Sequence, residues 1–136
     1  MADPESDDFF VLLRSLELPV GDYAVFGSGP LIIRGIIEAT NDLDVITRGA
    51  AWERLCELGE AASFADGNPR IELFGGRLTF GTTWKYGTFD LDALIDTAEI
   101  IDGLPFVRLE HVIVYKQVAN RPKDREHLHL LRATLR

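Results

Sequence analysis

The chain has 136 residues, 46% of them hydrophobic, and a formal net charge of −8. That length is one domain's worth, residues 1–136 as a single unit, and the apolar share excludes a disordered chain. The acidic balance disfavours nucleic acid as a partner, since phosphate contacts dominate such binding; no run of about 18 apolar residues marks a membrane span.

The start, MADPESDDFF, is acidic and lacks the basic, then apolar, order of a signal peptide, so a cytoplasmic location is expected. Ser6 is placed to cap a packing helix running to about Leu18, with Phe9, Phe10, Leu12, Leu13 and Leu16 on its apolar side. Pro19 to Asp22 predicts a turn.

The next stretch, YAVFGSGPLIIRGIIEATNDLDVI from Tyr23 to Ile46, carries the most information. Tyr23 to Phe26 is apolar and β-prone, which suits a buried strand. Gly27 and Gly29 flank Ser28 and allow a tight turn. Pro30 suits the first turn of a helix, predicted over Leu31 to Glu38. A second strand then carries Asp42 and Asp44. Residues i and i+2 of a strand share a face, so the two carboxylates project together while Leu43 and Val45 enter the core.

Ala50 to Glu60 reads as an amphipathic helix with Trp52, Leu55, Cys56 and Leu58 apolar. Cys56 is the only cysteine, so no internal disulfide forms, and it is expected to be an inert core thiol. RIELF (Arg70 to Phe74) and RLTFG (Arg77 to Gly81) alternate around Gly75-Gly76, which predicts a hairpin with a primed turn. Trp84 and Tyr86 are read as packing residues, with Lys85 a weak phosphate contact. Phe89 to Leu94 reads as a strand bringing Asp90 to one face, with Asp92 as the alternative or as a cap. Ile95 to Gly103 reads as a short helix or edge segment, and Pro105 to Leu109 as a short strand. Helices follow over Glu110 to Asn120 and from Pro122 to the end. His111, His127 and His129 take surface or packing roles.

Two adjacent carboxylates repel unless solvated, protonated or shared by a cation. A hard ion such as Mg²⁺ takes oxygen ligands of this kind and works with substrate phosphates. The Gly27-Ser28 turn, with free N–H groups following it, suits a phosphate. The pairing points to metal-assisted phosphoryl or nucleotidyl transfer.

Phe26-Gly27-Ser28, thirteen residues, then Asp42-Leu43-Asp44 resembles the minimal nucleotidyltransferases of the DNA polymerase β-like superfamily. The C-terminal stretch LEHVIVYKQVANRPKDREHLHLL, a Lys on an apolar helix followed by Arg-Pro-Lys-Asp, is similar to a second element of that family. The resemblance spans about Tyr23 to Leu131. It implies an α+β nucleotidyltransferase fold, a small mixed sheet with helices on one face and a C-terminal helical pair. It implies transfer of a nucleoside monophosphate from an NTP, with ATP the expected donor, to a hydroxyl of a small molecule or protein. Two Mg²⁺ ions would be held by Asp42, Asp44 and Asp90, the last also serving as general base. Gly27, Ser28, Lys116 and Arg34 would contact the nucleotide, with Arg121 or Lys123 fixing the helix junction. Family members commonly carry an Arg shortly before the Asp pair, where this chain has Glu38.

The alternative from another class is a weakly active or inactive binding module, such as the antitoxin half of a toxin–antitoxin pair. A homodimer or a cognate partner protein is compatible with either. A phosphatase of the haloacid dehalogenase type also opens with Asp-x-Asp. It begins at that strand, however, and needs a longer chain.

Overall fold

The computed structural model describes residues 8–38, 41–64, 67–83 and 90–134. Trp84, Lys85, Tyr86 and Phe89 lie outside the described residues, as does Ser6.

Helix α1 (Phe9–Ser15) is capped by Asp8, whose Oδ1 accepts from Phe10 N and Val11 N. The cap is therefore Asp8 rather than Ser6. The helix ends before Leu18 because Glu17 turns into the left-handed region at φ +50°. Strand β1 (Tyr23–Phe26) follows, then α2 (Gly29–Ile32). This helix is one turn, shorter than its sequence predicts. Gly35 at φ +73° bonds back to Ile32 O and breaks it.

The chain continues through β2 (Leu43–Thr47), α3 (Gly49–Leu58), β3 (Ala62–Ser63), β4 (Pro69–Leu73) and β5 (Leu78–Gly81). Gly75 and Gly76 have φ of +67° and +88° and join β4 to β5 by the primed turn the sequence predicts. Then come α4 (Leu91–Asp96), β6 (Glu99–Ile101), β7 (Leu104–Phe106), α5 (Leu109–Ala119) and α6 (Pro122–Thr134).

Among the described residues, seven strands form one mixed sheet in the order β3-β4-β5-β2-β1-β7-β6. β2 lies between antiparallel β1 and parallel β5. The protein is thus mixed α+β. Among the described residues, no helix is long and apolar enough to cross a membrane.

Helices cover both faces of the sheet, not one. On one face Tyr23, Val25, Leu43 and Val45 pack with α1 and α3 through Leu12, Leu13, Ala51 and Leu55. On the other, Ala24, Phe26 and Ile46 meet α2, α4, α5 and α6 through Leu31, Leu94, Val112, Tyr115, Leu128 and Leu131. All four residues of β1 are buried, as a strand covered on both sides requires.

Two further expectations are corrected. Asp90 does not lie on a strand. It is the N-cap of α4, and its Oδ1 accepts from Asp92 N and Ala93 N at 3.1 and 3.3 Å. Cys56 is exposed, because α3 buries Ala51 and Leu55 and the next residue is rotated about 100° away.

Candidate functional site

The site forms at the start of β2, where the Gly27-Ser28 turn meets the Asp pair. Antiparallel register sets Phe26 opposite Asp44, so the residue after β1 lies over that carboxylate. Gly27 has φ +61°, and a Cβ there would come 2.8 Å from Asp44 Oδ2. Only glycine lets the turn lie so close. Ser28 heads α2 without capping it by a side-chain bond.

Asp42 and Asp44 project to the same side, and their carboxyl groups are within hydrogen-bonding reach of each other. Burial and the Asp42 charge push Asp44 up from the usual carboxylate range to about 7, with Lys123 and Arg121 opposing the shift. Asp42 Oδ2 accepts from Thr79 Oγ1 at 3.0 Å. Thr79 reaches it because β5 runs parallel to β2 with Thr79 beside Asp44.

The C-terminal helix pair closes over the turn. Lys116, on α5, has a side chain only 1% exposed. Its Nζ lies 3.4 Å from Ser28 Oγ, 3.5 Å from Asp124 Oδ1 and 3.0 Å from His127 Nδ1. The Arg-Pro-Lys-Asp run is a helix start. Pro122 is the first residue of α6, and Asp124 reaches back to Arg121 N at 3.1 Å, the return half of a capping box. Arg121 Nε also donates to Asp124 Oδ2 at 2.7 Å, and its Nη2 to Oδ1 at 3.2 Å. Burial alone would raise the Asp124 pKa. The Arg121 bonds and the Lys116 charge outweigh it and hold the carboxyl below its ordinary value. Tyr115 packs on Phe26, its ring 4.8 Å away, and burial pushes its hydroxyl up to about 12.

The fold thus gathers Gly27, Ser28, Asp42, Asp44 and Lys116, with Arg121 and Lys123 near Asp44. It does not bring Asp90 or Arg34 to them. Asp92 pairs with Arg48 at 2.7 Å, and Arg48 also holds Asp96 and Gly21 O, past the opposite end of β2 from Asp42. Among the described residues, no three His, Cys, Asp or Glu side chains are grouped to hold a metal ion. Arg34 Nη1 donates to Pro30 O at 2.6 Å and Nη2 to Glu99 Oε1 at 3.1 Å, which ties α2 toward the β6 edge.

Sequence reasoning does not find Thr79, and it reads His127 as a surface or packing residue. The buried Lys116 cluster is only partly signalled, by the Arg-Pro-Lys-Asp lettering. Compared with family models, with curated proteins and with solved structures, the chain gives no match.

Proposed function

We propose that this protein is a metal-dependent nucleotidyltransferase with the DNA polymerase β-like nucleotidyltransferase fold. It moves a nucleoside monophosphate from an NTP, ATP foremost, to a hydroxyl of a small molecule or a protein. The observation that carries the reading is the paired Asp42 and Asp44 carboxylates set directly under the Gly27-Ser28 turn, with Lys123 and Arg121 beside them.

The donor set suits a hard dication. Two neighbouring carboxylates, one with its proton affinity raised by burial and by the other, present negative charge that the local cations do not neutralise. Asp42 and Asp44 would hold Mg²⁺, which is commonly bound by one or two carboxylates plus substrate phosphates. Bound there, the metal supplies charge neutralisation at the phosphates and favours in-line attack. Asp90 stands apart from this pair, so a second ion would lean on the substrate's own oxygens.

The chain's own residues bind and orient. Ser28 Oγ and the backbone of the Gly27-Ser28 turn face the position of a phosphate. Lys123 and Arg121 offset its charge. Thr79 fixes the orientation of Asp42. Tyr115 and Phe26 wall the site on the core side.

The test is calorimetric titration of a panel of nucleoside triphosphates, with Mg²⁺ and without, into the wild type and Asp42→Ala/Asp44→Ala. Metal-dependent binding of one nucleotide, lost in the double variant, is the expected result. A folded wild-type protein that binds none of them turns the case to the second reading, a partner-binding module of antitoxin type. One observation favours that alternative: Asp90, a carboxylate that the family resemblance assigns to chemistry, is spent on capping α4.

A further inference from the structure

Lys116 has no opening to solvent; burial lowers its pKa and the Asp124 carboxylate opposes that shift, and as an ammonium its surroundings use all of its hydrogen-bonding capacity. An ammonium has three N–H donors and no lone pair. Three acceptors stand around it: Asp124 Oδ1, His127 Nδ1 and Ser28 Oγ, at 3.5, 3.0 and 3.4 Å. Asp124 is itself held from elsewhere. Arg121 grips Asp124 through its guanidinium and its backbone N–H. His127 is half-buried on α6 and, accepting at Nδ1, carries its proton on Nε2.

Two consequences follow from the saturation of Lys116. No donor remains for a phosphate oxygen. And in its contact with Ser28 the hydroxyl oxygen accepts, so the hydroxyl's own proton points elsewhere. Ser28 does not use that proton to bond within α2, and among the described residues it meets no acceptor. This half-buried hydroxyl sits in the turn where Gly27 lies on Asp44.

We propose that Lys116 is a positioning residue: clamped by Asp124 and His127, it touches no ligand and fixes the Ser28 hydroxyl as a one-way donor to an oxyanion at the Gly27-Ser28 turn. This rests on the reading that a phosphate occupies that turn. It replaces the expectation that Lys116 contacts the nucleotide itself. The role is separable from that of Lys123, an exposed cation acting on the same side of the site.

The probe is inorganic tripolyphosphate with Mg²⁺, titrated calorimetrically into the full chain. Ser28→Ala weakens binding by roughly tenfold, the loss of one hydrogen bond to a charged group. Lys116→Met weakens it by a similar factor, and the double variant is no weaker than Ser28→Ala alone. A Lys116→Met loss that is as large in the Ser28→Ala background as in the wild type overturns the proposal, because the cation would then act on the anion directly. A measurement on the unaltered protein removes dependence on the buried variant folding. The chain has three lysines, so ¹⁵N-lysine labelling gives three ammonium signals. The Lys116 signal is expected to exchange slowly and to stay in place when the probe is added, while Lys123 shifts. A Lys116 shift larger than that of Lys123 also overturns the proposal. Failure of the folded wild type to bind tripolyphosphate sinks the phosphate reading itself, and the role of Lys116 with it. Binding with independent losses sinks only the Lys116 role.

Discussion

Gly27 and Asp44 are in such close apposition that a single added carbon on one would fall 2.8 Å from the Oδ2 of the other. Gly27→Ala therefore meets two penalties, a left-handed backbone at φ +61° and a clash with the half-buried Asp44 carboxylate. The expected destabilisation is about 1–3 kcal/mol, read from urea unfolding. In an Asp44→Ala background the clash vanishes and only the backbone term persists. Equal losses in both backgrounds would show that the contact with Asp44 carries no energy.

The raised proton affinity of Asp44 gives a pH signature with a definite sign. Its folded pKa, about 7, lies above the unfolded value near 3.8. The contribution is then full below about pH 4 and is lost as pH rises to 7. Asp44→Asn removes a half-buried charge that the wild type must carry above that range. Its melting temperature should match the wild type near pH 4 and exceed it by several degrees at pH 8. Mg²⁺ should close part of the gap at pH 8 by stabilising only the wild type. A gap that does not change between pH 4 and pH 8 contradicts the argument.

Asp124 is the counter-charge on which the C-terminal cluster depends. Its side chain is fully buried, bonded to Arg121 and paired with Lys116. Asp124→Ala leaves Lys116 enclosed without its anion and removes the return cap of α6. Breaking one side of a buried pair typically costs about 3–5 kcal/mol, so a large drop in the urea midpoint is expected. Asp124→Asn keeps the capping oxygen and should lose less. A loss under about 1 kcal/mol for the alanine variant would mean that the cluster is solvated rather than closed.

Asp90 separates family resemblance from structure. As the cap of α4 it should cost about 1 kcal/mol when changed to alanine, with Mg²⁺-dependent tripolyphosphate binding unaltered. Loss of that binding in a stable Asp90→Ala protein would return Asp90 to the metal site.

The parts of the site that could be read from the letters are those set by local geometry. Gly-Ser-Gly after an apolar run specifies a turn, and carboxylates two apart on a strand share a face whatever the rest of the chain does. Thr79 could not be read this way, because it reaches Asp42 across 37 positions through the parallel register of β5. Ser28 and Lys116 are 88 positions apart and meet only when α5 lies over α2. Asp90 misleads because Phe-Asp-Leu-Asp-Ala-Leu alternates with period two, as a strand does, while Asp is equally a helix cap. Coverage of both sheet faces was legible in principle: Tyr-Ala-Val-Phe has no polar position, so β1 has no face suited to water.

The distance along the chain between the Asp pair and Arg121 with Lys123 bears on how the molecule is built. The carboxylates belong to the first third of the sequence and the cations that offset them to the last segment. A chain that ends with α5 at Ala119 holds the two acids without Arg121 and Lys123, the cations that oppose their mutual charge. The central strands pair among themselves, but the charge balance around the Asp pair exists only once the C-terminal helices are in place.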